Sequence, residues 1–342
     1  MKILISSGIY PPDIGGPAQY ARNLYETWKN QGHDVKVAAY RWERALPPFI
    51  RHVLFLTKII RKGWNADLIL VLDLWSAAVP TMFACMLMRK KYIIRTGGDF
   101  LWESYVERTG HMIYFKKFYE SKEVKLNFKE KIYYTLGKKA LKKASKIIYS
   151  TDWQRKTFSK AYGINDSQTT IIENFCGERV EPIEPENRTF VAATREVKWK
   201  NISTLKEAFE IAKHEVNEKG LESIELDTGK AVYDSFFEKI RRSYAVILVS
   251  IGDISPNMIL DAIRAGTPFI VTKENGLTER IRPCAIFVDP MNKADIAEKI
   301  LWLSNPDNYK LQKQKIIDFK WTHTWEDIAK EILNVREKIN AK

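Results

Sequence analysis

The chain has 342 residues, 45% of them hydrophobic, and a formal net charge of +13 at pH 7. This length and composition exclude a small disulfide-stabilised fold and a disordered chain, and they predict about two globular domains. The three cysteines, Cys85, Cys176 and Cys284, are far apart and lack metal-ligand spacing, so we expect a reducing compartment. The sequence contains no recognised nucleic-acid-binding module despite its net positive charge, so no nucleic acid is expected as a partner.

The apolar stretches favour a cytoplasmic protein over a secreted or membrane-spanning one. The opening run MKILISSGIYPPD is too short for a secretory signal and lacks a small-residue cleavage site. Leu68 to Met88 contains a single charged residue, Asp73, and a membrane span is the alternative interpretation there. The β-branched run Asp67 to Leu72 favours a strand instead, followed by a turn at Asp73 to Ser76 and a helix broken near Pro80.

Apolar, β-branched runs alternate with helical stretches along the whole chain, as in doubly wound α/β domains. The first series of predicted strands comprises Lys2 to Ser7, Asp34 to Tyr40, Asp67 to Leu72, Lys91 to Thr96, Lys146 to Ser150 and Thr169 to Phe175. The second series comprises Thr189 to Thr194, Ser223 to Asp227, Ala245 to Ile251, Pro268 to Thr272 and Ala285 to Asp289. An acidic, proline-containing linker is predicted from Glu178 to Asn187. We therefore predict one domain over 1–178, a second over 188–308, and C-terminal helices over 309–342.

One loop of the first predicted domain has glycines where a ligand can come close to the backbone. Gly15 and Gly16 follow the first strand and precede a helix predicted from Ala18 to Asn30. The alternative is an ordinary strand-to-helix loop.

A second loop of this domain follows the fourth strand and combines charged, small and aromatic residues. Arg95, Asp99, Trp102 and Glu103 form a predicted sugar-facing wall, because tryptophan stacks on apolar sugar faces and carboxylates bind hydroxyls. The alternative is a salt-bridged surface loop.

The segment Ala245 to Glu279 predicts a binding site in the second domain. A buried strand, Ala245 to Ile251, leads into a polar loop. Ser255 is the predicted N-cap of the next helix, with Pro256 at its first position and Gly266 just beyond its end. A helix that begins at the carboxyl end of a parallel strand suits an anion such as a diphosphate.

Four charged residues refine the kind of ligand that this domain is expected to bind. The carboxylates of Asp253 and Asp261 can accept hydrogen bonds from a diol, which indicates a ligand with both phosphate and sugar hydroxyls. Arg195 and Lys200 follow the strand Thr189 to Thr194 and can neutralise a diphosphate. The alternative is that these four residues are solvated surface groups.

These motifs together resemble those of the retaining GT-B glycosyltransferases of family 4. The spacing Asp253-x7-Asp261, followed by Ala-x-x-Ala-Gly-Thr-Pro and by Glu279, is similar to the E-x7-E motif of that family, with aspartates in place of both glutamates. Arg195-x4-Lys200 matches its Gly-Arg-x4-Lys element, although a threonine replaces the glycine.

The resemblance implies both a fold and a reaction. The fold would be two doubly wound Rossmann-like domains facing a cleft, with the second domain shortened and the C-terminal helices bracing the first. The reaction would be that of a hexosyltransferase of polysaccharide biosynthesis, which moves a sugar from a nucleotide-diphospho-sugar to a glycan or lipid-linked acceptor with retention of configuration. No metal and no cofactor besides the donor co-substrate are implied.

The same resemblance implies roles for individual residues. Arg195 and Lys200 would hold the donor phosphates, Asp253 would contact the donor sugar, and Asp261 would hold the ribose. Asp99 would be the polar group where many members have a histidine. The donor-binding set comprises Gly15, Gly16, Ser255, Asn257, Met258 and Asp261. The acceptor side comprises Arg95, Trp102 and Glu103.

Two rival functions are compatible with the same patterns. The first is a non-catalytic sugar-nucleotide or glycan-binding relative, motivated by the two aspartates and by the shortened second domain. The second is a nucleotide-sugar epimerase of similar architecture, which the acceptor-side loops disfavour.

The segment Tyr114 to Lys146 is basic, with eleven lysines against three glutamates, and its lysines are interleaved with aromatic residues. Such a composition suits a helix that lies on anionic lipid, so peripheral attachment to the inner face of the membrane is an expected alternative to a purely cytoplasmic state. The other interpretation is a packed amphipathic helix with a basic solvated face.

Overall fold

A computed structural model describes residues 1–13, 15–192, 197–229 and 233–341. The chain divides into two compact units. The first unit comprises Met1–Ser104, Lys122–Asn174 and Thr324–Lys342. The second unit comprises Tyr105–Ser121 and Phe175–His323.

Strands and helices alternate through both units. The strands are β1 (Lys2–Ser7), β2 (Asp34–Ala39), β3 (Leu68–Val71), β4 (Ile93–Thr96), β5 (Lys146–Tyr149), β6 (Thr169–Ile171), β7 (Arg188–Ala192), β8 (Ile224–Asp227), β9 (Ala245–Leu248), β10 (Phe269–Thr272) and β11 (Ile286–Val288). The helices are α1 (Gly16–Asn30), α2 (Pro48–Gly63), α3 (Ala78–Met88), α4 (Phe100–Thr109), α5 (Phe115–Phe118), α6 (Phe128–Lys143), α7 (Asp152–Tyr162), α8 (Ile202–Glu218), α9 (Tyr233–Arg242), α10 (Asn257–Ala265), α11 (Thr278–Ile281), α12 (Lys293–Ser304), α13 (Pro306–Asp318) and α14 (Trp325–Asn340).

The first unit is built on a six-stranded parallel sheet in the order β2-β1-β3-β4-β5-β6. Right-handed crossovers place α1 on one face of this sheet and α2, α3, α6 and α7 on the other. The C-terminal helix α14 packs against α1. Tyr20 and Trp325 meet edge to face at 5.0 Å between ring centroids, and Ile328 and Ile332 of α14 are also buried.

The second unit is built on a five-stranded parallel sheet in the order β11-β10-β9-β7-β8. Its central strand β9 is buried on both faces, because alternate side chains enter different clusters. Ala245 and Ile247 pack with Phe190 on one side, while Val246 and Leu248 pack in the other cluster. The burial on both faces explains why β9 is a continuous apolar run in the sequence.

Every strand predicted from the sequence is present, and most end one to four residues earlier than predicted. The helix predicted to break near Pro80 does not break. Pro80 lies in the first turn of α3, where its missing N–H removes no intrahelical hydrogen bond, so the helix continues to Met88. Within the described residues, no helix is both long enough and apolar enough to cross a bilayer.

The two units do not follow the predicted segments in every detail. The chain passes from the first unit to the second between Asn174 and Phe175, just ahead of the predicted linker. The predicted C-terminal segment is divided, since α13 belongs to the second unit and α14 to the first. The assignment of Tyr105–Ser121 to the second unit was not predicted, because these residues lie between two strands of the first.

The basic segment Tyr114 to Lys146 is not one membrane-facing helix. It is divided between α5 in the second unit and α6 in the first. Phe115 and Phe118 are buried, and Tyr134 stacks on Tyr162 with ring centroids 5.2 Å apart. Phe115 and Phe118 therefore do not lie at a membrane interface, because the interior of the second unit takes them up, whereas Phe128 on α6 is 81% exposed.

We expect Ile332→Ala to destabilise the first unit by about 2–5 kcal/mol, because it leaves a cavity where α14 packs on the unit. Lys330→Ala, an exposed change on the same helix, is the matched control and should shift stability by less than about 0.5 kcal/mol. Urea unfolding measures both. Equal midpoints for the two variants would show that α14 does not stabilise this unit.

Candidate functional site

Parallel-sheet topology selects one edge of the second unit as the place for a ligand. β7 and β9 are neighbours in the sheet, and the chain leaves them in opposite directions, towards β8 and towards β10. The loops that follow such a pair diverge and form a crevice at the carboxyl end of the sheet. Lys200 follows β7 in a 3-10 turn, Lys198–Lys200, and Asp253 follows β9, so both predicted residues lie at this switch point.

Lys200 and Asp253 form an ion pair. The Lys200 Nζ lies 2.6 Å from Asp253 Oδ2, and the side chains are only 12% and 14% exposed. Ser250 Oγ donates a further hydrogen bond to the same carboxylate oxygen at 3.3 Å. The structure thus joins two sequence-predicted residues in one half-buried, electrically neutral pair.

The Lys200 ammonium lies over an aromatic ring of its own turn, and the Asp253 backbone is held by a neighbouring loop. The Lys200 Nζ lies 4.4 Å from the centroid of the Trp199 ring, which is a cation–π distance. The backbone N–H of Asp253 donates to the carbonyl of Glu274 at 2.9 Å, and the N–H of Gly276 donates to the carbonyl of Asp253 at 3.0 Å. The loop after β10 therefore positions Asp253 without using its side chain.

Helix α10 begins at this edge but not with the predicted cap. Pro256 is the N-cap and accepts from the amides of Ile259 and Leu260, so the prediction of Ser255 as N-cap is wrong by one residue. The reason is that Pro256 has a ψ of 105°, outside the helical range. Asn257 and Met258 are the first helical residues, at the positive end of the helix dipole. Gly266 ends the helix at φ +69°, as predicted for a left-handed C-cap.

Asp261 lies one helical turn further along α10 and is buried. Its Oδ1 lies 3.2 Å from Arg264 Nη1, in an i,i+3 ion pair on the same helix. The Arg264 guanidinium in turn lies 4.5 Å from the Phe237 ring centroid and 5.0 Å from that of Phe175. Arg264 was missed as a site residue, although its i,i+3 spacing from an aspartate was visible in the sequence.

The second predicted cation, Arg195, lies outside the described residues.

The turn Lys198–Lys200 is anchored by a residue that sequence reasoning missed. The backbone N–H of Lys198 donates to Glu107 Oε1 at 2.6 Å, and Lys198 Nζ donates to the Glu107 carbonyl at 2.8 Å. Glu107 lies in the part of α4 that belongs to the second unit. No local pattern indicated this contact, because the two residues are 91 positions apart.

Sequence reasoning also missed two acidic residues at the carboxyl edge of this sheet: Glu274, which follows β10, and Asp289, which follows β11. Tyr114, from the same inserted segment as Glu107, donates to Asp289 Oδ1 at 3.0 Å. Glu274 follows β10, and burial raises the pKa of its carboxyl, although Lys116 and Lys117 oppose this shift. The inserted segment thus adds hydrogen-bonding and positive groups to the same edge of the second unit.

The first unit has its own switch point, between β1 and β3. Gly15 precedes α1 at φ +154°, a conformation that favours glycine, and Gly16 is the first residue of that helix. Asp73, which follows β3 and was not predicted as a site residue, is half-buried there and accepts from the Gly8 amide at 2.9 Å and from Ser76 Oγ at 2.8 Å. Burial raises the pKa of Asp73, while these donors favour its charged form. The geometry supports a role for Asp73 in shaping the loop beside Gly15.

In the loop after β4, most of the predicted sugar-facing side chains point into the unit. Arg95 is buried, lies 3.8 Å above the Tyr20 ring centroid, and donates to Ser150 Oγ at 2.9 Å and to Asn174. Burial lowers the pKa of this guanidinium. Trp102 is only 3% exposed, so its indole is not an open stacking surface in this structure.

The carboxylates of this loop differ in their surroundings. Asp99 Oδ1 accepts from the amides of Leu101 and Trp102 at 2.9 and 3.2 Å, so it caps helix α4. Glu103 is half-buried on the first turn of that helix. The Asp99 carboxylate therefore orders the start of α4, and the Glu103 carboxylate is the more solvent-accessible of the two.

Comparison with known proteins identifies the fold. No protein-family model and no curated protein sequence matches the chain. Sucrose-phosphate synthase from Thermosynechococcus elongatus superimposes with a TM-score of 0.69 at 14% identity, covering 99% of each chain. HepE from Anabaena, in complex with UDP and glucose, superimposes with a TM-score of 0.63 at 15% identity, covering 100% of this chain and 98% of its own.

WaaG, a glycosyltransferase involved in lipopolysaccharide biosynthesis, is a third similar structure. It superimposes with a TM-score of 0.65 at 12% identity, covering 98% of this chain and 99% of its own. The protein has the GT-B fold. At these identities the similarity establishes the architecture of two parallel α/β domains and leaves the activity to be argued from the residues.

We expect Glu274→Gln to change how stability depends on pH. Because the folded pKa of Glu274 is raised above its ordinary value of 4.5, its protonated form favours folding, and this stabilisation is lost as pH rises through the raised pKa. The variant should therefore gain stability relative to the wild type between about pH 4 and about pH 8. Glu279→Gln, on an exposed side chain of the following helix α11, should show no such trend in urea unfolding at the two pH values.

Proposed function

We propose that this protein is a glycosyltransferase that moves a sugar from a nucleotide-diphospho-sugar to a glycan or lipid-linked acceptor. The observation that carries the proposal is the Lys200–Asp253 pair, which lies at the switch point of a GT-B domain beside the N-terminus of α10. At this carboxyl edge of the sheet, the cation and the helix N-terminus can bind phosphate, and the carboxylate can accept hydrogen bonds from sugar hydroxyls.

The donor diphosphate would draw Lys200 away from Asp253. Lys200 and Arg195 would then neutralise the phosphate oxygens, and the N-terminus of α10, at Asn257 and Met258, would add the positive end of its dipole. The carboxylate of Asp253, released from its ammonium partner, would accept hydrogen bonds from the donor sugar. An ion pair that forms without donor and exchanges on binding keeps both groups positioned for the reaction.

The chemistry we propose is dissociative. The bond between the anomeric carbon and the diphosphate oxygen breaks, its electron pair goes to the diphosphate, and the acceptor hydroxyl oxygen bonds to the same face of the sugar. The acceptor proton passes to an oxygen of the departing diphosphate. The cations and the helix N-terminus accelerate this step because the leaving group gains charge in the transition state. No metal ion and no other cofactor enters the proposal.

Asp261 is proposed to hold the ribose of the donor. Its ion pair with Arg264 fixes one carboxylate oxygen, Oδ1, and orients the carboxylate on α10. Ser255, in the loop ahead of the helix, completes the proposed donor contacts in this unit.

The remaining groups proposed for the reaction lie in the first unit. Gly15 and Gly16 are proposed to bring backbone close to the donor, and Asp99 with Arg95, Trp102 and Glu103 to form the acceptor side. Of these, Glu103 has the exposure that an acceptor hydroxyl needs, whereas Asp99 and Trp102 are buried. We propose a cytoplasmic location, which the three buried free thiols support.

A non-catalytic sugar-nucleotide-binding relative is the second candidate. The specific observation in its favour is that both acids of the motif have a cation partner in the fold, Lys200 for Asp253 and Arg264 for Asp261. A paired carboxylate binds a sugar hydroxyl less strongly, since part of its acceptor capacity is used.

A donor panel distinguishes the two candidates. Thermal shift and calorimetry with nucleoside diphosphates and their sugars, starting with UDP-glucose because HepE binds it, measure binding. Release of free nucleoside diphosphate with and without glycan or lipid-linked acceptors measures transfer and hydrolysis. Binding with turnover supports the transferase, whereas binding without turnover on any acceptor supports the second candidate.

Removing either cation should slow the reaction. We expect Lys200→Ala and Arg195→Ala each to lower kcat about tenfold or more, because a charge-assisted contact that strengthens in the transition state contributes roughly 1.5–3 kcal/mol. Lys206→Ala, an exposed lysine on α8, is the control and should keep wild-type kinetics. Wild-type turnover in both site variants with an established donor would refute the phosphate role.

The two aspartates should give different defects. Asp261→Asn should weaken the binding of the donor and of the free nucleotide alike, because both ligands contain the ribose. Asp253→Asn should mainly lower kcat, because the sugar that it contacts is absent from the free nucleotide. Calorimetry with free nucleotide and steady-state kinetics with donor separate these outcomes. Identical defects, or undiminished nucleotide affinity in Asp261→Asn, would contradict the separate roles.

A further inference from the structure

Three neighbouring helices of the first unit expose large apolar side chains. Helix α2 packs against α3, and α3 packs against α6, on one face of the sheet. The exposed apolar residues are Phe49, Ile50 and Val53 on α2, Phe83, Met86 and Leu87 on α3, and Phe128 and Ile132 on α6. Phe49 and Phe128 are 80% and 81% exposed, and Leu87 is 68% exposed. We call these eight residues the apolar face.

The apolar face is additional to the hydrophobic core. Each of the three helices already buries another side against the sheet, with Phe55 and Ile59 on α2, Met82 on α3 and Leu141 on α6. An amphipathic helix that packs on a sheet normally turns polar residues outward. On α3 the exposed stripe is instead entirely apolar, which indicates that this side of the unit has an apolar partner.

The charges around the apolar face are of one sign. Helices α2 and α3 contain no aspartate or glutamate, and the single glutamate of α6, Glu130, is buried in its capping box. Lys58 on α2 is paired with the buried Glu43. The remaining cations are Arg51, Arg61 and Lys62 on α2, Arg89, Lys90 and Lys91 after α3, and Lys129, Lys131, Lys138, Lys139, Lys142 and Lys143 on α6. The outer side of the three helices therefore presents no carboxylate.

We propose that the apolar face docks on an anionic lipid bilayer. The exposed phenylalanines and leucine enter the boundary between headgroups and acyl chains, and the surrounding lysines and arginines pair with the headgroup phosphates. Charge complementarity selects this occupant, because a surface with cations and no carboxylate attracts anionic lipid and repels a second copy of itself. Docking uses no group assigned to donor or acceptor, so it holds whether or not the protein is a transferase.

Vesicle sedimentation with the full chain tests the proposal. The wild type should bind vesicles that contain phosphatidylglycerol, bind pure phosphatidylcholine vesicles far less, and dissociate as salt approaches about 1 M, where the Debye length falls to about 3 Å. The double variant Phe49→Ser, Leu87→Ser removes apolar insertion. The triple variant Lys139→Glu, Lys142→Glu, Lys143→Glu reverses charge. Each should weaken binding by about tenfold or more, since both attractions act together.

Matched changes in the second unit are the controls. Leu311→Ser with Ile211→Ser removes two exposed apolar residues, and Lys206→Glu with Lys219→Glu and Lys310→Glu makes the same change in net charge. These variants should bind as the wild type does. Equal losses in control and face variants, or no binding of the wild type to anionic vesicles at low salt, would overturn the proposal. A wild type that dimerises through Phe49 and Leu87 instead of binding vesicles would also overturn it.

Discussion

Parallel pairing of strands is the constraint on which the chemistry of this protein depends. Parallel strands need crossover connections, so every strand of a sheet ends at the same edge, and the loops that follow neighbouring strands meet there. In the second unit this rule joins Lys200 after β7 to Asp253 after β9, although β8 lies between them in the chain. In the first unit the same rule joins Gly8 after β1 to Asp73 after β3.

The polar groups at these edges are paired before any ligand arrives. Asp253 is bound by Lys200, Asp261 by Arg264, and Asp73 by backbone and hydroxyl donors. Such pairing lowers the free energy of placing carboxylates in partly buried positions, where an unpaired charge would be costly. In the reaction that we propose, the donor diphosphate and sugar would replace these partners, and donor affinity would depend on the difference between the two sets of contacts.

The inserted segment Tyr105–Ser121 shows where local patterns fail. Glu107 holds the turn that carries Lys200, and Tyr114 binds Asp289, yet both lie between strands of the first unit in the sequence. Their partners are more than ninety positions away, and no periodicity or capping rule connects residues at that distance. Contacts between residues within one or two helical turns are easier to predict from the sequence. The Asp261–Arg264 pair and the Asp99 cap both follow from spacing alone, although neither was predicted.

The positions of the strands, the class of fold and the left-handed end of α10 at Gly266 were predictable from the sequence, because β-branched runs and glycine positions are local properties. Asp253 and Lys200 were recognisable in the same way as charged residues that follow strands, but their pairing was not. Which side chains face outward could not be predicted in this way. Trp102, Phe115 and Phe118 were expected at surfaces but are buried, whereas Phe49 and Leu87 are left exposed. The reason is that burial depends on which helices cover which sheet face, and this packing is not encoded in any short window of the chain.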